Sequence, residues 1–228
     1  YFLNFIMKTK AAILVNQNCD LEIEEIDIPS LSYGHVLVKV STARICGSQI
    51  GEIDGVKGKD EYLPHLLGHE GSAIVLECGK GVTTVKEGNV VVMHWRKGDG
   101  IQSETPSYHS TKLGRINAGW ITTFNEFAVL SEDRVTRVPD DLDPEIGALM
   151  GCAVTTGLGV INNNAKVKIG ESVIVWGAGG VGLNIIQGAF LVSANPIIAI
   201  DLFEQKLDLS KKFGATHTIN STKISPEN

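Results

Sequence analysis

The sequence predicts a β-rich antiparallel domain over residues 1–150 followed, over residues 151–228, by the opening part of a parallel α/β domain. Three observations carry this. Short β-type runs separated by glycine and proline turns continue to about Val138, the composition changes after Pro139-Asp140-Asp141, and from Lys166 the order becomes strand, glycine turn, helix, strand. With 43% hydrophobic residues in 228, the chain has apolar surface for one sizeable core or two modest ones, which excludes disorder and collagen-like repeats.

The β-type runs fall at residues 11–15, 21–26, 35–40, 72–77 and 89–94. Pro29, Gly34, Gly79 with Gly81, and Gly88 lie between them, at the spacing of an antiparallel barrel or sandwich. Residues 98–119 are polar with little periodicity and are expected to form a surface lobe or long loop. Pro144 opens a helix start over residues 144–149, and an apolar run continues over 155–161. A β-branched run follows at 172–176, then a glycine turn at 177–182, helical spacing over 183–192 and a buried strand at 196–200. A polar helix over 203–213 stops at Gly214, and a third strand begins at 217–220. The uncharged stretch 172–200 does not read as a membrane span, because five glycines, two asparagines, a glutamine and Pro196 break it into short pieces. The apolar residues before Met7 lack a basic start and a small-residue cleavage site and are read as an upstream extension rather than a signal peptide.

Lys plus Arg number 20 against 26 Asp plus Glu, and the net charge of -6 argues against a broad nucleic-acid or anionic-membrane footprint. Cys19, Cys46, Cys78 and Cys152 are too scattered for a secreted disulfide framework, so a reducing, cytoplasmic location is expected.

Gly177-Ala178-Gly179-Gly180-Val181-Gly182 satisfies G-x-G-x-x-G directly after a strand and at the start of a helix, the context of a dinucleotide turn. Gly177 makes the tight turn, Gly179 lets backbone N–H groups approach a pyrophosphate, and Gly182 allows close packing of helix on strand. The helix start then presents its positive dipole end to the phosphates. Asp201, about 20 residues further on, is placed to accept from ribose hydroxyls, which favours NAD over NADP because a 2′-phosphate would meet its charge. The competing reading is an Asp201 that merely caps the next helix.

Cys46, His69 and Cys152 offer two soft sulfurs and an imidazole, a donor set suited to zinc. No C-x-x-C pair clips them together. Three ligands gathered from distant segments would leave a fourth position open for water or substrate, as in catalytic sites.

The C-G-S segment at Cys46, G-H-E at His69, G-C-x-x-T-T at Gly151 and the glycine turn at Gly177 occur in one order. In that order and context the chain from Met7 onward resembles the zinc-dependent alcohol dehydrogenases of the medium-chain dehydrogenase/reductase superfamily. The resemblance implies a GroES-like β-barrel catalytic domain and a Rossmann NAD-binding domain. It implies one catalytic zinc held by Cys46, His69 and Cys152, with Glu70 as the nearby carboxylate able to ligate it transiently. Ser48 would bond the substrate oxygen and begin the proton path, and Trp95 would line the substrate pocket. Thr156 and Val181 would pack on the nicotinamide, with Gly180 in the phosphate turn, and Asp201 with Lys206 would hold the adenosine ribose. Zinc would polarise an alcohol or carbonyl oxygen while hydride moves to or from NAD.

Departures from the family pattern sharpen the expectations. Gln49 stands where an aspartate usually bonds the ligand histidine; a neutral amide can orient the ring but supplies no charge. Gly51 replaces a relay histidine. The lobe at 98–119 has no cysteine, so no structural zinc is expected. The chain holds two Rossmann strands and the start of a third, which reads as a fragment of a longer, homo-oligomeric enzyme that binds NAD weakly by itself and whose first strand exposes an unpaired edge. Cys78 is read as a packed strand residue; His65 and His94 as packed or surface histidines, the alternative being that they line the pocket or a proton path; and Arg96 and Lys97 as solvated loop charges, the alternative being that they receive a phosphate or carboxylate of the substrate. The substrate is expected to be a small alcohol, aldehyde or ketone, with neither nucleic acid nor membrane as a partner. The alternatives are a zinc-free reductase of the quinone reductase kind on the same fold, and a non-catalytic module.

Overall fold

The computed structural model describes residues 7–224, so the apolar segment before Met7 lies outside the described residues. The chain divides after Cys152 into two compact units.

In the first unit the elements run β1 (Lys8–Leu14), β2 (Glu22–Asp27), β3 (His35–Ala43), α1 (Gly47–Ile53), β4 (His65–Leu66), β5 (Glu70–Cys78), β6 (Val90–His94), β7 (Ser107–Ser110), β8 (Gly114–Asn117), β9 (Phe127–Ser131), β10 (Val135–Arg137) and α2 (Pro144–Leu149). A closed barrel in the order β1-β2-β7-β8-β4 stands beside a five-stranded sheet in the order β10-β6-β5-β3-β9. Alternation explains the barrel strands. In β1, Thr9, Ala11 and Ile13 are buried while Lys8 and Lys10 are exposed, which puts one face inside. Ile13, Ile26, Tyr108 and Ile116 fill the barrel, and Val36, Val38, Val75, Val91, Met93 and Leu130 form the core of the sheet. The β3–β5 pairing slips at Leu37/Val38 and Val40/Thr42, and such bulges bend and twist the strand that leads to Cys46.

Residues 98–106 are irregular, as expected of a loop, but the rest of the segment 98–119 is not. It supplies β7 and β8, a hairpin that closes the barrel by pairing β2 on one side and β4 on the other. Each strand is four residues long, and Tyr108 and Ile116 are their large buried apolar side chains, so the alternation is too short to register as a period.

Asp143 caps α2 through the Glu145 N–H at 2.8 Å, with Pro144 in the first helical turn. Helical residues continue to Ala165 through α3 (Thr155–Gly159), with π-wound turns at Met150–Val154 and Val160–Ala165. This 22-residue stretch is long and apolar enough to cross a membrane by length and composition. Its opening turns are nevertheless packed on the sheet: Ser72 Oγ donates to the Pro144 carbonyl at 2.8 Å, and Gly147 and Gly151 are buried.

The second unit continues with β11 (Val173–Trp176), α4 (Gly180–Leu191), β12 (Ile197–Asp201), α5 (Glu204–Lys212) and β13 (His217–Asn220). The three strands are parallel in the order β11-β12-β13, over a core that includes Ile161, Val175, Ile186, Ile197 and Leu207. Among the described residues β11 has a neighbour on one side only, and its Ile174 and Trp176 are 64% and 71% exposed.

Candidate functional site

Three separate segments converge in the first unit. Beyond β3, the Arg44 N–H donates to the Glu70 carbonyl at 3.2 Å, and Cys46 follows in an extended conformation that starts α1. His69 and Glu70 enter the sheet at the start of β5, with Glu70 opposite His94. Before them Gly68 sits at φ +95°, where a Cβ would press on the Thr123 backbone at 2.8 Å; this tight turn aims His69. Cys152 lies in the π-wound turn after α2. Gly151 beside it is so close to Glu70 that a Cβ there would come within 2.9 Å of the Glu70 Cα.

The result is a group in which the donor atoms of Cys46, His69, Glu70 and Cys152 all lie within 4.8 Å of one another. Cys152 and Glu70 are buried, and Cys46 and His69 are half-buried. Two thiols, an imidazole and a carboxylate in that space match the soft, four-donor preference of zinc, so the residues present fit the metal. Burial, reinforced by Lys57, holds the His69 imidazole below its ordinary value. The ring therefore favours its neutral form, the form that ligates a cation.

Gln49 does not do what its position led us to expect. Its Oε1 accepts from the Gly68 backbone N–H and its Nε2 donates to Glu52 Oε2 at 3.0 Å, so it clamps the turn before His69 and spends its amide on Glu52. Ser48 is exposed in the first turn of α1, two residues after Cys46.

A cavity of about 450 Å³ opens at His69 and is lined by Gln49, His65, Leu67, Trp120 and Ile121 among others. Its aromatic wall is Trp120, whose indole N–H donates to the Ser103 carbonyl at 2.9 Å. Trp95 is not among the lining residues: it is 45% exposed at the end of β6, with the Arg96 guanidinium over its ring. His65 is buried and also lines this cavity, the alternative its sequence left open, and it faces two carboxylates, Asp60 Oδ2 at 2.8 Å and Glu52 Oε1 at 3.8 Å. Sequence reasoning missed this acidic group. Its one signal is a second histidine four residues before His69 in the same short segment. His94 is held by the Arg96 carbonyl and Thr136 Oγ1, and Cys78 packs against the sheet core, with burial pushing its thiol up.

In the second unit β11 ends at the glycine turn. Gly177 has φ +96°, and no atom lies within 4 Å of where a Cβ would stand at Gly177, Gly179 or Gly180, so the turn presents open backbone. At Gly182 a Cβ would run into the Gly177 carbonyl, and α4 packs against the turn there. Asp201 serves this turn directly: its Oδ2 accepts from the Ala178 N–H at 2.8 Å and its Oδ1 from the Phe203 N–H at 3.0 Å. Burial alone would raise its pKa, but those two amides and Lys206 prevail and hold it below the usual carboxylate range. Each oxygen keeps a further lone pair for another donor. Lys206 Nζ lies 3.9 Å from Asp201 and 4.9 Å from the centre of the Phe203 ring. Thr156 is half-buried with its Oγ1 sealed from solvent and without a hydrogen-bond partner among the described residues, and Val181 is exposed in the first turn of α4.

Residues 32–140 match the alcohol dehydrogenase GroES-like domain. The S-(hydroxymethyl)glutathione dehydrogenase of Photobacterium damsela subsp. piscicida is 34% identical over 238 residues, covering 94% of this chain and 64% of the relative. The chain thus spans 64% of the length of the curated relatives it matches. The crystal structure of benzyl alcohol dehydrogenase from Acinetobacter calcoaceticus superposes with a TM-score of 0.84 at 28% identity, covering 97% of this chain and 66% of that one. An alcohol dehydrogenase zinc-binding domain protein from Burkholderia ambifaria gives 0.86 at 25% identity, with 96% and 65% covered. A matching domain that contains Cys46 and His69, one residue in three shared along nearly the whole chain, and a common backbone trace make this chain a member of the alcohol dehydrogenase family, within the medium-chain dehydrogenase/reductase superfamily.

Proposed function

We propose that the protein interconverts a small alcohol and its aldehyde or ketone with NAD as hydride carrier, at one catalytic zinc held by Cys46, His69 and Cys152. The observation that supports this above others is the meeting of those three donors, with Glu70, within 4.8 Å of one another from segments far apart in sequence. When bound, zinc supplies a Lewis acid for the substrate oxygen and NAD accepts or returns the hydride.

The chain's own residues supply the rest. Cys46 and Cys152 would contribute thiolate charge to the zinc, and neutral His69 would complete the set of three protein ligands. Glu70, buried beside them, would be a carboxylate within reach of the same metal. Ser48 Oγ takes the hydroxyl proton and, being exposed, passes it to water, which shortens a path that Gly51 cannot extend. In the second unit Gly177, Gly179 and Gly180 offer open backbone to the pyrophosphate. Asp201 orders that turn and, with Lys206, accepts the ribose; its negative charge disfavours a 2′-phosphate. Thr156 and Val181 are assigned to the nicotinamide, and Trp95 remains a candidate for the outer substrate pocket. Thiol ligands call for a reducing compartment, in keeping with a cytoplasmic enzyme.

Zinc per chain, measured by elemental mass spectrometry on the protein and on its Cys46→Ser variant, tests the reading. One zinc in the parent, lost in the variant, is expected. A folded parent protein without zinc overturns it.

A further inference from the structure

The cavity at His69 carries a sign. Among the described residues that line it, the charged side chains other than histidines are Glu52 and Asp60; no lysine or arginine takes part. Both carboxylates converge on His65, whose Nδ1 is already directed at the Leu66 carbonyl at 2.9 Å. Two carboxylates around one imidazole leave at least one negative charge whether or not the ring is protonated. Asp60 is held ionised: burial alone would raise its pKa, but the Tyr62 N–H at 2.8 Å and His65 outweigh it. Lys57 and Lys59 line an adjoining hollow that shares Glu52, Asp60 and Tyr62, yet neither lies within ion-pair distance of a carboxylate among the described residues.

The remaining wall completes a cation receptor. Trp120 and Tyr62 contribute aromatic rings to the same cavity, and aromatic faces attract cations as carboxylates do. Arg134, 5.1 Å from the Trp120 ring centre, shows that this indole already receives a cation on one face. A hydroxy acid or sugar phosphate entering here would meet two carboxylates in the wall and find its nearest basic groups, Lys57 and Arg134, outside the lining, whereas a cationic group would meet complementary charge.

We propose that Glu52 and Asp60 select alcohols that also carry an ammonium group, with the hydroxyl directed to the Cys46–His69–Cys152 cluster and the ammonium to the two carboxylates. This names the substrate class for the reading above and rests on it.

Cobalt(II) loaded in place of zinc makes the thiolate cluster visible by its charge-transfer and d–d bands. Aminobutanol, butanol and hydroxybutanoate are titrated against those bands and, in the same samples, against the Trp120 indole N–H resonance. Aminobutanol is expected to half-saturate at about one tenth the concentration of butanol, the gain of one charge-assisted hydrogen bond. Hydroxybutanoate is expected to bind no tighter than butanol, and the amine preference should shrink as salt is raised. Glu52→Gln, at a half-exposed position, should remove most of that preference, and adding Asp60→Asn should bring amine and butanol to parity. Equal midpoints for the two in the parent protein, or a preference that survives both substitutions, overturns the proposal. Because the indole resonance reads the cavity with or without metal, missing thiolate–cobalt bands count against the metal centre and an absent amine preference counts against the subsite.

Discussion

Glu132 is fully buried and spends its carboxylate on loop backbone. Its Oε1 accepts from the Thr83 N–H at 2.7 Å, the Thr84 N–H at 2.8 Å and Thr84 Oγ1 at 2.9 Å, and its Oε2 from the Ile101 N–H at 2.8 Å. Burial alone would raise its pKa, yet these donors outweigh it and hold the group below the ordinary 4.5. The sign follows from that depression. The stabilisation is complete above the unfolded value near 4.5 and is lost as pH falls through the lower folded value. Glu132→Gln turns an NH₂ towards a backbone donor and is expected to cost about 2–4 kcal/mol at neutral pH. The deficit should narrow below about pH 4 as the parent loses its own charge-dependent term. Urea unfolding of both proteins across that range checks it, and a deficit independent of pH would rule out the carboxylate charge as its source. Nothing in the sequence marks Glu132, because its partners are main-chain amides 31 to 49 positions away. Cys46, His69 and Cys152 were legible because their chemistry is carried by residue type. Glu52 and Asp60 were not, since an acid in a short helix and another in the loop after it look like any solvated charge.

At the scale of elements, long alternating or β-branched runs such as β1, β5 and β11 were legible, and so was the glycine turn between β11 and α4, because a period or a backbone requirement is written over several residues. The β7–β8 hairpin was not. Four-residue strands offer two alternations each, and what holds β7 in place is a tertiary bond: the Tyr108 hydroxyl accepts the Val129 N–H of β9 at 2.7 Å from a fully buried position. Tyr108→Phe keeps the volume and strands that N–H, at an expected cost of about 1–3 kcal/mol. Equilibrium denaturation reads the cost, and an unchanged midpoint would mean that Val129 finds another acceptor. The Met150–Val154 turn was also invisible, because an α-helix and a π-wound turn share the same apolar composition.

Over the whole molecule, the change of grammar near Pro139 corresponds to a chain of two compact units with different sheet chemistry, antiparallel then parallel. All four donors of the proposed zinc site lie in the first unit, Cys152 being its last residue. A metal bound only to the native form of that unit stabilises it by mass action, about 4 kcal/mol at a thousandfold excess over the dissociation constant. Chelation of the metal-loaded protein is therefore expected to lower one calorimetric transition and leave the other in place. Equal displacement of both would show that the units unfold as a single cooperative block.

The π-wound turn at Met150–Val154 makes one corner of the site depend on how a helix is wound. Such a turn bonds residue i to i+5 and so fits more residues into one turn than an α-helix does. Cys152 lies within this one, so the sulfur reaches Cys46 and His69 from a position that a regular helix of the same flanks does not contain. Deleting one residue from this turn should let it wind as an α-helix and carry Cys152 away from Cys46 and His69, which a loss of zinc per chain would read out.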